Sequence, residues 1–237
     1  ELYNVAKDFS ECRDVAAQYP EKLAELKAMW WTEAERNQVL PLNNQPGRFG
    51  DTRFRRERYV FRPGISSLPE DIAPNLRNRR FQLLAALKVP ADGPCEGVIV
   101  AHGSQGGGYA LYLAGRRLHY VHNFLGSNLT TISASVELPI GEVLVRATFT
   151  PTARFAGDLE LWYGDVPVGR GHLAQTTPIT YGFAPFSVGY QRMNPIAPNL
   201  VGSAEITRGV LDHVVVETSG TPYVDPARED RAKLALQ

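Results

Sequence analysis

Apolar and polar residues alternate along most of the chain from about residue 79 to residue 216. A period of two is typical of β-strands that bury one face. The clearest strand is predicted where Val143, Val145, Ala147 and Phe149 share one side of the chain. Further strands are predicted wherever the alternation recurs, at Phe81, Leu83, Ala85, Leu87 and Val89, at Val98 and Val100, at Tyr109, Leu111 and Leu113, at Leu118, Tyr120 and His122, at Leu159, Leu161 and Tyr163, and at Val210, Asp212, Val214 and Val216.

Short turn sequences separate these strands. Ala114-Gly115 joins one strand pair, and Gly164-Asp165 joins another, as expected for tight hairpins. An extended segment is also predicted near residues 58–61. Many short strands with glycine and proline between them predict a mainly β fold, an antiparallel sandwich.

The first part of the chain follows a different pattern. Pro20 suits a first helical position, and Leu23, Leu26, Trp30 and Ala34 recur at the spacing of one helix face. A helix is therefore predicted over residues 20–36. The division predicted from these patterns is a helical segment at 1–38, a linker at 39–56, a β-sandwich at 57–222 and a polar tail at 223–237.

The composition is that of a folded chain without a dominant charge. Hydrophobic residues make up 43%, and 25 basic residues balance 25 acidic ones, which leaves a formal net charge of zero. Neither nucleic acid nor an acidic membrane is expected as a partner, because no overall field would attract it. The chain also contains no apolar run long enough to span a membrane.

Two cysteines and a glycine-rich stretch are the first candidates for chemical motifs. Cys12 and Cys95 lie far apart, and two buried, unpaired thiols are expected rather than a disulfide. The glycines between His102 and Tyr109 lack the lysine and the following helix of a phosphate-binding loop, so a flexible inter-strand loop is expected there.

Several polar groups are candidates for a site. His119 and His122 fall on opposite faces of one strand and cannot chelate a single metal. Asp158 and Glu160 share a strand face near Asp165, but a solvated face explains them as well as catalysis does.

An arginine-rich segment is the most conspicuous charged feature of the sequence. Arg53, Arg55, Arg56 and Arg58 are weak candidates for binding an anion, since guanidinium groups bind sulfate and carboxylate well. A solvated strand or a strand with salt bridges between domains is the favoured interpretation of this segment.

The order of the strands resembles the concanavalin A-like or laminin G-like jelly roll. More narrowly, the chain resembles the C-terminal part of large bacterial-type arylsulfatases, formylglycine-dependent sulfatases of type I, including their C-terminal β-domain. The resemblance covers nearly the full chain and is carried by Glu1-Leu2-Tyr3-Asn4-Val5, Tyr59-Val60-Phe61-Arg62-Pro63-Gly64, Ile72-Ala73-Pro74-Asn75-Leu76-Arg77-Asn78-Arg79, Glu96-Gly97-Val98-Ile99-Val100-Ala101-His102-Gly103 and Tyr120-Val121-His122-Asn123-Phe124-Leu125-Gly126.

This resemblance implies a fragment without catalytic groups. Such enzymes hydrolyse sulfate esters with a formylglycine, made from the cysteine of a Cys-x-Pro-x-Arg motif, and a calcium ion. Neither Cys12 nor Cys95 lies in that motif, so both groups are expected upstream of Glu1. No catalytic, cofactor-binding or metal-binding residue is assigned to this chain, and we expect it to be inactive alone.

The resemblance also implies partners. The expected partner is the sulfatase catalytic domain, which residues 1–38 would complete, and a sulfate ester would be met only through that domain. The β-sandwich would have a structural role, limit access to the active site or support a homo-oligomer.

Two other functions stay open on the sequence. One is a stand-alone carbohydrate-binding module that exposes Tyr109, Tyr112, Tyr120 and Trp162 on a concave face. The other is an independent hydrolase on a jelly-roll scaffold. The location, cytoplasmic or periplasmic, also stays open.

Overall fold

The alternating segments form β-strands in a computed structural model that describes residues 1–37, 56–70, 72–178, 185–191, 194–200 and 205–221. The chain divides into two units, Glu1–Arg48 and Phe49–Gln237, and the strands belong to the second. The predicted linker at 39–56, apart from Arg56, and the predicted tail at 223–237 lie outside the described residues. The predicted domain boundaries therefore stay predictions.

The first unit contains the predicted helix, α1, over Pro20–Arg36. Pro20 occupies the start of the helix, where its missing N–H is not needed. Asn37 ends the helix, since its backbone and side-chain N–H groups both donate to the Glu33 carbonyl, at 3.0 and 2.8 Å. Ala34 is buried, whereas Trp30 and Trp31 are 44% and 53% exposed.

In the described part of the chain, the strands of the second unit form two antiparallel sheets. The six-stranded sheet has the order β1-β11-β2-β7-β8-β9. Its strands are β1 (Arg58–Phe61), β2 (Arg80–Val89), β7 (Gly141–Ala153), β8 (Ala156–Tyr163), β9 (Val166–Leu173) and β11 (Leu211–Ser219).

The other sheet is five-stranded and has the order β10-β3-β4-β5-β6. Its strands are β3 (Gly97–Ser104), β4 (Gly107–Ala114), β5 (Arg117–Phe124), β6 (Asn128–Ser133) and β10 (Phe186–Val188), and a 3₁₀ turn at Pro198–Leu200 follows β10. The chain crosses between the sheets after β2, β6, β9 and β10. This confirms the predicted fold class, an antiparallel jelly-roll sandwich.

The inner faces of the two sheets form one large hydrophobic core. The strand β2 shows the principle, because Phe81, Leu83, Ala85, Leu87 and Val89 are all buried while the residues between them are more exposed. Side chains of the five-stranded sheet, such as those of Leu111 and Tyr120 (both at most 1% exposed), meet them from the opposite side. The alternation in the sequence therefore corresponds to the sheet-on-sheet packing.

A second, smaller cluster covers the outer face of the five-stranded sheet. Val98, Ala101, Tyr112 and neighbouring residues of that face contact Ile196, Ala197 and Leu200. The Asn123 amide fixes this covering segment by donating to the Ile196 carbonyl at 2.9 Å. The strands β3 and β4 of this sheet are therefore buried on both faces.

The predicted unbroken alternation in the last strand is wrong at Asp212. A β-bulge lies between Leu211 and His213, so that one extra residue faces the partner strand. An extra residue shifts the period by one. As a result Val210 and Leu211 are both buried, and Asp212 is exposed.

The expected burial of both cysteines is also wrong, because Cys12 is exposed and only Cys95 is buried; both are free thiols.

The glycine-rich stretch connects β3 and β4, as expected for an inter-strand segment, and forms a tight hairpin. Gly103 pairs with Gly108, and Ser104 pairs with Gly107. Gly108 has φ +141°, and a Cβ added there would overlap the carbonyl oxygen of His102. The glycines allow a close approach of the two backbones, which a side chain would prevent.

We predict that Gly108→Ala lowers the free energy of unfolding by about 2 kcal/mol or more, because it combines a steric overlap with an unfavourable φ. Urea denaturation of the purified chain measures this. Gly106→Ala is the matched control, since its Cβ would meet nothing closer than the Ser104 hydroxyl at 3.7 Å. Equal stability of the two variants would contradict this account of the hairpin.

Candidate functional site

The outer face of the six-stranded sheet carries two regular rows of side chains. In one row, register pairs join Val60, Val215, Leu84, Arg146, Trp162 and Pro167 from edge to edge. In the next row, they join Arg58, Glu217, Gln82, Thr148, Glu160 and Arg170. An apolar and aromatic row therefore lies beside a polar, charged row.

Close contacts order the side chains on this face. The Arg58 Nε lies 3.1 Å from Glu217 Oε1, and the Arg146 guanidinium lies over the Trp162 ring at 4.8 Å from its centroid. The His172 Nδ1 is 2.7 Å from Asp158 Oδ1. Exposed ion pairs of this kind contribute little to stability, but they fix the positions of the charged groups.

A shallow depression of about 360 Å³ lies at one end of this face, where β1, β11 and β2 meet. Among its lining residues are Arg58, Arg80, Gln82, Glu217 and Ser219. We call it the arginine depression.

The structure describes two of the four arginines that were predicted to bind an anion. Arg53 and Arg55 lie outside the described residues. Arg56 is exposed just before β1, and Arg58 lines the arginine depression. Their role in anion binding stays a prediction. The sequence reasoning missed Arg80, which belongs to a different segment and comes close only through the pairing of β2 with β11.

A second depression lies at the other end of the same face and includes Lys88, Glu142 and Asp212. The β-bulge exposes Asp212, whose carboxylate lies 2.7 Å from His213 Nδ1 and 3.7 Å from Arg62 Nη1. The hydrogen bond from His213, with Arg62 nearby, lowers the pKa of Asp212. The pair resembles the base and orienting group of a catalytic triad, but no described nucleophile contacts it.

Two of the carboxylates noted in the sequence lie opposite basic side chains of β9. Asp158 accepts a hydrogen bond from His172, and Glu160 lies across from Arg170 in the register. Asp165 lies beyond the strand, in the turn after Tyr163. Each of the first two carboxylates thus faces a basic side chain on β9, as expected for a solvated sheet face.

The predicted carbohydrate-binding aromatics are wrong for three of the four residues. Tyr109, Tyr112 and Tyr120 are each at most 2% exposed and pack in the two cores. Trp162 lies on the outer face, but Arg146 covers its ring. The alternation of the sequence shows that a residue faces one side of a sheet, and it does not show whether another layer covers that side.

Two buried histidines lie on the inner face of the five-stranded sheet, with Tyr109 between them. The register pairs His102 with Tyr109 and Tyr109 with His122. The His102 ring packs edge-on against Phe186, at 5.9 Å between centroids. The backbone N–H of Thr177 donates to Nε2 of His122 at 3.2 Å, so that nitrogen carries no proton.

Burial keeps both rings neutral. Desolvation, with a further contribution from Arg77, lowers the pKa of His102 to about 3. Desolvation alone lowers the pKa of His122 to about 4. The two residues therefore act as core side chains and not as proton carriers near neutral pH. His119, by contrast, stacks on Tyr112 and lies between Ser133 and the Ala114 carbonyl.

We predict that the chain loses stability as the pH falls from 7 to 5. A histidine takes up a proton near pH 6.5 when unfolded but resists it when folded, so the unfolded state binds more protons in this range. Each buried histidine should remove about 2 kcal/mol of the free energy of unfolding at pH 5. His122→Gln keeps an acceptor for the Thr177 N–H. Between pH 7 and pH 5, this variant should lose about 2 kcal/mol less of its free energy of unfolding than the wild type loses.

Urea denaturation at the two pH values measures the difference, and the exposed His172→Gln is the control. An equal pH dependence for the wild type and His122→Gln would contradict the assignment of His122.

The described ranges contain no group of three histidine, cysteine, aspartate or glutamate side chains placed to hold a metal ion. Within those same ranges, no helix is long and apolar enough to cross a membrane.

The backbone is similar to several solved β-sandwich structures. The mouse laminin alpha1 chain, domains LG4-5, matches 70% of this chain with a TM-score of 0.44 and 14% identity. The heptameric SAP-like pentraxin of Limulus polyphemus matches 70% with a TM-score of 0.36 and 12% identity. The endo-beta-1,4-glucuronan lyase of Trichoderma reesei matches 70% with a TM-score of 0.41 and 13% identity.

These matches cover 40% of the laminin chain, 78% of the pentraxin chain and 82% of the lyase chain. No family model matches the sequence, and no curated protein matches it. A shared sandwich does not transfer a ligand or an activity, so the function has to be argued from the residues of this chain.

Proposed function

We propose that this chain is the non-catalytic C-terminal part of an arylsulfatase, in which the β-sandwich and the helical unit pack against the catalytic domain. The parent enzyme would hydrolyse sulfate esters to an alcohol or phenol and sulfate. Its formylglycine and calcium ion would lie in the catalytic domain, and the sandwich would support or limit access to that site.

The proposal starts from a resemblance, because separate segments of the sequence are similar to segments of the sulfatase family and follow in the same order. One is Glu1-Leu2-Tyr3-Asn4-Val5, which precedes the helix, and others lie in the sandwich, such as Glu96-Gly97-Val98-Ile99 and Tyr120-Val121-His122-Asn123. They fall on different structural elements, from the loop before α1 to β3 and β5.

The observation that carries the proposal is the exposed apolar surface of the helical unit. Trp30 and Trp31 pack edge to face at 4.9 Å and are 44% and 53% exposed. Phe9, Tyr19 and Met29 are 92%, 57% and 54% exposed. Large apolar side chains gathered on one small unit are typical of a surface that another protein domain covers.

The sandwich supports a non-catalytic role. Two of its carboxylates pair with histidines, Asp158 with His172 and Asp212 with His213. Its two buried histidines, His102 and His122, stay neutral near pH 7. A structural or binding module fits these features better than an independent hydrolase does.

We predict that the purified 237-residue chain does not hydrolyse 4-nitrophenyl sulfate, whereas the protein encoded by the complete reading frame does. The reason is that the groups expected to attack the ester belong to the partner domain. Release of nitrophenolate measures this. Turnover by the chain alone, abolished by a substitution within it, would contradict the proposal.

We also predict that Trp30→Ser with Trp31→Ser destabilises the complete protein but hardly affects the 237-residue chain. Each indole would lose about 1.5–3 kcal/mol of burial in the complete protein, while in the chain it is already about half exposed. Thermal melts of both proteins measure this. Ile140→Ser is the control, because Ile140 is 66% exposed on the sandwich. The proposed interface would be contradicted if the double tryptophan variant shifted the melting temperature equally in both proteins.

A further inference from the structure

We propose that the arginine depression binds an acidic saccharide unit, a sugar that carries one sulfate or carboxylate group. This site does not depend on the sulfatase proposal, because all of its residues belong to the sandwich. The inference rests on the strand register, on the charges of the outward side chains and on their exposure.

The register brings the side chains together from three strands. Arg58 on β1 pairs with Glu217 on β11, and Glu217 pairs with Gln82 on β2. One step further along the strands, Ser219 pairs with Arg80. Directly paired side chains on one face lie about 5 Å apart, and diagonal neighbours about 7–8 Å apart. Two guanidinium groups, an amide, a carboxylate and a hydroxyl therefore surround one small area.

The contacts within the depression leave one arginine for a ligand. Arg58 is held by Glu217, through its Nε at 3.1 Å. Arg80 is exposed, and none of the described residues forms an ion pair with it. Ser219 is held from the other side, since Arg79 Nε donates to its carbonyl oxygen at 3.3 Å. The Glu217 pair thus orients Arg58, and Arg80 presents a guanidinium group to solvent.

The charges match a ligand with one negative group and several hydroxyls. The charged side chains that line the depression are Glu57, Arg58, Arg80 and Glu217, so the lining as a whole carries no net charge. The attraction for an anion is local to Arg80, because Glu217 already pairs with Arg58. A guanidinium group binds sulfate or carboxylate with two parallel hydrogen bonds. Gln82, Glu217 and Ser219 supply donors and acceptors for sugar hydroxyls. A bare inorganic anion would use the arginines but not these groups.

Titration of the ¹⁵N-labelled 237-residue chain with glucose 6-sulfate, glucose and inorganic sulfate tests the site. The sugar sulfate should shift the backbone amide signals of Arg80 and Ser219 saturably and bind more tightly than either glucose or sulfate. Arg80→Gln should weaken this binding about tenfold through the loss of a charge-assisted bond. Gln82→Leu should weaken it by a smaller factor, and Arg208→Gln, an exposed arginine elsewhere on the sandwich, should not change it.

Three results would overturn the proposal. They are the absence of a saturable shift, equal affinity of Arg80→Gln and the wild type, and equal affinity for inorganic sulfate and the sugar sulfate. The last result would show a plain anion site. None of them bears on sulfatase activity, which is measured on a different protein, so failure of this site and failure of the proposed function are distinguishable.

Discussion

The packing of the two inner sheet faces against each other is the constraint on which the rest of the structure depends. Every long strand has to place apolar side chains on one face, and residues such as Leu83, Leu111, Tyr120 and Leu159 are almost inaccessible to solvent as a result. Burial of apolar area is the main favourable contribution to folding. The core also contains His102 and His122, which can lie there because they stay neutral.

The same packing determines which side chains of the sandwich are exposed and could contact a ligand. Tyr109 and Tyr120 of the five-stranded sheet pack in the main core, and Tyr112 on its outer face is covered by the segment around Ile196 and Leu200. The outer face of the six-stranded sheet carries the polar row, the Asp–His pairs and the two depressions. The proposed saccharide site lies on that face, and the proposed interface with another domain lies on the exposed aromatic residues of the helical unit.

The sequence predicted the elements in which apolar residues recur with a regular period. It did not predict features that depend on a partner strand or on a segment far along the chain. Strand β2 and helix α1 follow from their alternation and from Pro20. Strand β6 was missed, because it is an edge strand in which only Ile132 is buried. The bulge at Asp212 depends on the partner strand, and the burial of Tyr112 depends on a covering segment far along the chain. Arg80 joins Arg58 only through strand pairing, which a single sequence does not reveal.

The central claim is that this chain is one part of a larger sulfatase, and the intact mass of the native protein under denaturing conditions tests it most directly. The account predicts a mass well above the 26.2 kDa of this chain, together with a peptide that carries a formylglycine. A native protein of 26.2 kDa, without that residue, would contradict the account and leave an independent β-sandwich module.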